Sequence, residues 1–150
     1  MEQGDHVDDF ELPDENGTPR RLSEFLAHGP VVLFFYPGAL TPGCTRESCH
    51  FRDLASEFAA VGAQRVGVSN DPVEKQKRFA DRYSFDYPLL SDADGTVATK
   101  FGVRRSGGRA KRATFVIAPD ATVVAVIRSE LRMNVHADQA LGALRGGSPG

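Results

Sequence analysis

Residues 31–49 read VVLFFYPGALTPGCTRESC, and the change of period inside this stretch decides the fold. Val31 to Tyr36 is an unbroken β-branched and aromatic run closed by Pro37-Gly38, which is how a strand buried on both faces reads. Beyond Thr45 the spacing lengthens. Phe51, Leu54, Ala55, Phe58 and Val61 recur every three or four residues until Gly62 supplies a stop, predicting a helix of roughly five turns. Thr41 suits its N-cap and Pro42 its first helical position, so Cys44 falls within the opening turn.

Downstream, Arg65 to Ser69 reads as a second strand. Asn70-Asp71-Pro72 reads as an N-cap with Pro at the first helical position, opening a helix over Val73 to Tyr83 with Phe79 and Ala80 on its apolar side. Leu89-Leu90 reads as a short strand, Ala93-Asp94-Gly95 as a turn, and Val97 to Phe101 as one or two helical turns. Thr114 to Ile117 and Thr122 to Ile127 form the arms of a hairpin around Pro119-Asp120, and His136 to Leu144 closes the chain as a helix. The order is β-α-β-α-β-β-α behind a looser N-terminal segment. It predicts an α/β fold whose mixed central sheet is flanked by helices, parallel at its start and antiparallel at the late hairpin. No repeat or Pro/Gly/Ser-rich linker divides residues 1–150, so one domain is expected, with GGSPG (146–150) as a disordered tail.

Composition narrows the function classes. Eighteen Lys and Arg against 20 Asp and Glu leave no basic excess to announce a nucleic-acid or acidic-membrane partner. The longest strictly apolar run, Val31 to Tyr36, falls far short of the ~20 residues of a membrane span. The acidic MEQGDHVDDFELPDENG opening has no apolar core and reads as no signal peptide. Two cysteines are too few for a secreted disulfide scaffold. A cytoplasmic setting is expected.

The first turn of a helix presents unpaired N–H groups and the positive end of the dipole, and both favour an anion at Cys44. Lowering a cysteine pKa from ~8.5 to ~6 raises the thiolate fraction near neutral pH from a few per cent to about nine-tenths. Cys49 follows five residues later. In an unbroken helix the two Cα atoms would stand about 8.6 Å apart, whereas a disulfide wants ~4.4–6.8 Å. The pair can bond only if the helix start unwinds. A switchable bridge fits that distance and a reducing cytoplasm better than a permanent one.

The motif Pro37-x-x-x-Thr41-x-x-Cys44 resembles the active-site signature of the peroxiredoxins, and the Cys-x4-Cys spacing resembles their Q-type, or bacterioferritin comigratory, branch. The likeness extends from DFELPDENG through VGVSND and PLLSD to RATFVI. It implies a thioredoxin-like fold with an N-terminal extension and a thiol peroxidase acting on hydrogen peroxide and organic hydroperoxides. By this resemblance Cys44 is the peroxidatic cysteine and Cys49 the resolving one, joined as an intrasubunit disulfide that thioredoxin or a similar dithiol reduces. Thr41 would hold peroxide and thiolate, Pro37 would shield the sulfur from water, Arg112 would be the active-site arginine, and Glu47 would orient it. No metal or organic cofactor is implied, and the chain is expected as a monomer or weak dimer. Gly38-Ala39-Leu40 departs from the Lys and Asp often found there, and Ala118 stands where an acidic residue is usual.

Two other functions compete. A thioredoxin-like disulfide reductase or electron carrier would carry Cys-x-x-Cys, which is absent; a non-enzymatic redox-sensing module would use the cysteine switch to change partner affinity. Arg104, Arg105, Arg109 and Lys111 read as a solvated loop around Gly107-Gly108 rather than a phosphate patch. Arg46 and Arg128 are alternatives to Arg112. His6, His28, His50 and His136 are scattered. His50 lies ~240° around the helix from Cys44 and is poorly placed as its base, and two Cys with one adjacent His do not make a zinc site.

Overall fold

The computed structural model describes residues 1–105, 109–129 and 132–145, so the tail expected at 146–150 and Gly107-Gly108 lie outside the described residues. In chain order the elements are β1 (Glu11–Pro13), β2 (Pro19–Arg21), α1 (Leu22–Leu26), β3 (Val31–Phe35), α2 (Pro42–Asp53), α3 (Ala55–Ala60) and β4 (Gln64–Ser69). They continue with α4 (Val73–Tyr83), β5 (Leu89–Ser91), α5 (Thr96–Lys100), β6 (Ala113–Ile117), β7 (Val123–Arg128) and α6 (Val135–Arg145).

The VVLFF run becomes β3, the middle strand of a five-stranded sheet ordered β5-β4-β3-β6-β7. Strands β3, β4 and β5 run parallel, as the two helical crossovers require, while β6 and β7 pair antiparallel beside β3. Every residue of β3 is buried. Its side chains alternate between two apolar layers. Val31, Leu33 and Phe35 face a cluster with Phe25 and Leu26 of α1 and Val97 and Ala98 of α5. Val32, Phe34 and Tyr36 face Phe51, Phe58, Phe79 and Ala140 from α2, α3, α4 and α6. Phe34 stacks on Phe51 with ring centroids 4.1 Å apart. A Cβ on Gly67 of β4 would fall within 2.9–3.1 Å of Leu89, Phe34 and Tyr36, so only glycine lets this aromatic layer close over the sheet.

The structure departs from the sequence reading at three places, each by tertiary contact. The looser N-terminal segment contains a hairpin of two three-residue strands. Its Asp14 carboxylate accepts the N–H groups of Asn16 at 2.9 Å and Thr18 at 3.0 Å, a local turn that the strands are too short to announce by alternation. The long helix breaks at Leu54, where Arg65 Nη1 donates to Phe51 O at 2.9 Å and occupies the carbonyl that would have bonded residue 55. Finally, Pro72 itself is the N-cap of α4, with no side-chain cap bond. Asn70 instead receives the Ala110 N–H at 3.0 Å and donates to Asp92 O at 3.1 Å, while Asp71 turns toward the loop before α2.

Candidate active site

The loop from β3 into α2 is fixed from both sides. Tyr36 N–H donates to Val68 O at 3.0 Å, extending the ladder one residue past the strand. Ala39 N–H donates to Asp71 Oδ2 at 2.6 Å, and Ser69 Oγ donates to the same oxygen at 2.7 Å. Behind them Gln76 donates to Ser69 Oγ at 3.0 Å and to Leu90 O at 2.8 Å, and Tyr36 Oη donates to Gln76 Oε1 at 2.6 Å. Leu40 completes the turn at φ +66°, a left-handed conformation that a branched side chain adopts only when its surroundings impose it.

Thr41 occupies the N-cap position and Pro42 the first helical position, as expected. The Thr41 hydroxyl makes no cap bond; it donates to Gly38 O at 2.8 Å. Cys44 therefore lies third in the helix, where its N–H has no intrahelical acceptor, and its side chain is fully buried. Pro37, at the head of the loop, is half-buried.

Arg112 arrives from the other side of the sheet. Antiparallel pairing sets Phe35 opposite Ala113, so the residue before β6 emerges at the end of β3 where the loop to α2 begins. Its Nη2 donates to Cys44 Sγ at 3.2 Å and its Nη1 to Glu47 Oε1 at 2.6 Å. Cys44 and Glu47, three residues apart, share one face of α2. Burial alone would pull Arg112 down, but Glu47 and Cys44 together hold it above the ordinary arginine value. A Cβ on Gly43 would meet the Met133 methyl at 3.0 Å and Arg112 Nη2 at 3.4 Å, so glycine leaves room for the guanidinium.

The structure sorts the arginines. Arg104, Arg105, Arg109 and Lys111 are exposed, while Arg112 beside them is buried. Arg46 is exposed, and Arg128 pairs with Glu2 at 2.8 Å on the surface. His136, counted among the scattered histidines, is fully buried behind Glu47. Its Nδ1 lies 3.7 Å from Glu47 Oε2 and 2.8 Å from Thr114 Oγ1, and its Nε2 lies 2.8 Å from Ser129 O. The available signal was its register with Ala137, Ala140 and Leu141 on the buried face of α6.

Cys49 lies in the same helix, half-buried, and both cysteines are free thiols. Burial pushes the Cys49 thiol up, opposed by Arg52 and assisted by Asp53. The helix is clamped on either side of it. Tyr87 Oη donates to Ser48 O at 2.7 Å, and burial keeps that phenol well above its ordinary value, hence protonated. His50 Nε2 lies 2.7 Å from Asp138 Oδ1 of α6, so it is engaged away from Cys44. Among the described residues no group of three His, Cys, Asp or Glu is arranged to hold a metal ion, and no helix is long and apolar enough to cross a membrane.

The AhpC/TSA family matches residues 3–126. The crystal structure of peroxidoxin BcpB from Mycobacterium tuberculosis is 63% identical, with a TM-score of 0.94 and 97% of each chain covered. The chloroplastic peroxiredoxin Q of Sedum lineare is 38% identical over 138 residues, 91% of this chain and 74% of that one. A cysteine-to-serine mutant of PrxQ from Xylella fastidiosa is 29% identical with a TM-score of 0.89, covering 98% of this chain and 97% of its own.

Proposed function

The chain belongs to the AhpC/TSA family and is a Q-type peroxiredoxin, a thiol-dependent peroxidase with a thioredoxin-like fold; from that premise we propose how its residues divide the reaction. Cys44 is the attacking thiolate. Its sulfur takes one oxygen of a hydroperoxide, the O–O bond breaks, and the electron pair leaves on hydroxide or alkoxide, which is then protonated; the sulfur becomes a sulfenic acid. Arg112, held by Glu47, stabilises the charge moving along that line, as preorganised donors do for an oxyanion. With its proton committed to Gly38 O, the Thr41 oxygen is an acceptor for the peroxide O–H. Pro37 shields the sulfur at the loop's head.

Cys49 then resolves the sulfenic acid. An S–S bond forms and water leaves, which stops further oxidation of Cys44. In helical geometry the two Cα atoms stand about 8.6 Å apart, so the first turns of α2 must unwind before the bond can close. Thioredoxin or a similar dithiol returns both sulfurs to thiols by exchange. One chain carries both cysteines, so turnover needs no second subunit, in keeping with a monomer or weak dimer. A pair that must cycle suits the reducing cytoplasm. Residues 1–150 act as one domain, since both apolar layers share β3.

The observation that carries this reading is the buried guanidinium 3.2 Å from Cys44 Sγ. An NADPH-coupled assay with thioredoxin and its reductase should show peroxide-dependent turnover that disappears in Cys44→Ser; undiminished turnover would sink the reading. The peroxide-treated protein should lose two hydrogens in mass, with Cys44 and Cys49 in one linked peptide, and should show less helix by circular dichroism than the reduced protein.

A further inference from the structure

Behind the Arg112–Glu47 pair sits a buried ionisable ring that the reaction as described does not use. His136 is the second residue of α6, and its side chain is inaccessible to solvent. The Ser129 carbonyl, 2.8 Å from Nε2, can only accept, so Nε2 carries a hydrogen. That bond and the Thr114 hydroxyl at Nδ1 hold the ring with Nδ1 facing Glu47 Oε2 at 3.7 Å. Glu47 therefore stands between two basic groups, Arg112 on Oε1 and His136 toward Oε2.

The charges of this group depend on the state of Cys44. A thiolate, a guanidinium and a carboxylate sum to one buried negative charge, which low-dielectric surroundings disfavour. A proton on His136 Nδ1 brings the sum to zero. Once the sulfur is a sulfenic acid or a disulfide, the same proton leaves one excess positive charge. Other charged groups on the elements packed against α6 are engaged elsewhere or exposed. Arg46 and Arg52 of α2 lie at the surface or on Asp53, His50 is bound to Asp138 of α6 itself, and Arg128 of β7 is bound to Glu2.

We propose that His136 is a positioning residue whose ring is protonated while Cys44 is a thiolate and gives up that proton when Cys44 is oxidised. The proton balances the reaction. Thiolate, hydroperoxide and imidazolium become sulfenic acid, alcohol or water, and neutral imidazole, with the proton released from His136 matching the one taken up by the departing oxygen. In the reduced state the imidazolium shares Glu47 with Arg112 and leaves the guanidinium's charge aimed at the sulfur. In the oxidised state its loss loosens the set of contacts that anchors the first turn of α2. The inference rests on Cys44 being the attacking thiolate.

The test uses the full chain labelled in its histidine rings. The ring resonances of His136 are followed against pH in the reduced wild type and in reduced Cys44→Ser, whose side chain carries no charge. The titration midpoint of His136 should lie higher in the wild type, by about one pH unit. Equal midpoints overturn the inference. Kinetics supply the second arm. His136→Gln, uncharged at every pH, should react with hydrogen peroxide about tenfold more slowly and lack the pH-dependent step that coincides with the His136 midpoint in the wild type. A variant that keeps the wild-type rate and that step also overturns it. Turnover lost in Cys44→Ser with equal midpoints would discard His136 alone, whereas turnover retained in Cys44→Ser would discard the reading of Cys44.

Discussion

Around Cys44, α2 is held by polar contacts reaching in from loops, whereas around Cys49 it is held by packing against the sheet. The first turn relies on Arg112 at Sγ, the Thr41 hydroxyl on Gly38 O, the Ala39 N–H on Asp71 and the left-handed Leu40. The later turns rely on Phe51 stacked on Phe34, Tyr87 bonded to Ser48 O and His50 against Asp138. The first set depends on the charge state of the sulfur; the second does not. Oxidation at Cys44 thus weakens one half of the helix and leaves the other fixed. Cys49 stays where it is, and Cys44 is the partner that moves.

The packed half should carry the larger share of stability. Phe51 is fully buried and touches both Phe34 and Phe58, so Phe51→Ala removes a ring from the centre of one apolar layer. Urea unfolding should show a loss of about 3–5 kcal/mol. A loss below about 1 kcal/mol would break the comparison, since the later turns would then owe little to packing.

The polar half should carry the larger share of reactivity. Arg112→Lys keeps a positive charge but loses the planar fork that spans Cys44 and Glu47 at once. The second-order rate of Cys44 with hydrogen peroxide, read by stopped flow, should fall about 10²–10³-fold, equivalent to about 2.7–4 kcal/mol. Global stability should change far less than in Phe51→Ala. A lysine variant with wild-type rate would show that charge alone, without the fork, organises the site.

How much of this was legible follows from where each contact originates. The opening of α2 is local chemistry, so Thr41, Pro42 and Cys44 could be placed from neighbours in the chain. Glu47 lies one turn on and shares the same face, but nothing local says what it faces. Arg112 is set by strand register, Phe35 opposite Ala113, which periodicity cannot supply; only the family likeness separated it from the exposed arginines beside it. The break at Leu54 depends on Arg65, eleven positions beyond it, and the misread cap before α4 depends on Ala110 and Ala39 drawing Asn70 and Asp71 away. His136 was passed over for the same reason. A polar residue on an otherwise apolar helix face has a meaning only when the residue opposite is known, and here that is Glu47.

A smaller effect separates the two halves more sharply. Tyr87→Phe removes one hydrogen bond to the Ser48 carbonyl and leaves the ring in place against Phe34 and Phe85. Stability in urea should fall by about 0.5–1.5 kcal/mol. The attack of Cys44 on peroxide should keep its wild-type rate, because Tyr87 anchors only the later turns. A large change in that rate would mean that strain on the Cys49 side is felt at the first turn, and the division of the helix would fail.

The smallest expected effect belongs to Cys49 itself. Burial raises its thiol above the ordinary value in the folded protein, so on unfolding the group becomes a stronger acid. Below the unfolded value both states hold the proton, and the contribution is constant. From about pH 8.5 upward the unfolded chain releases the proton first, while the folded chain still keeps it. The unfolded state then binds fewer protons than the native one, so stability falls as pH rises through that window. Because the side chain is half-exposed, the slope should be shallow, and Cys49→Ser should remove it from the urea midpoint measured between pH 8 and pH 10 under reducing conditions. A slope that survives the substitution would assign the alkaline loss to other groups. It would also take away the reason for regarding Cys49 as a thiol that waits, protonated and fixed, for a mobile Cys44.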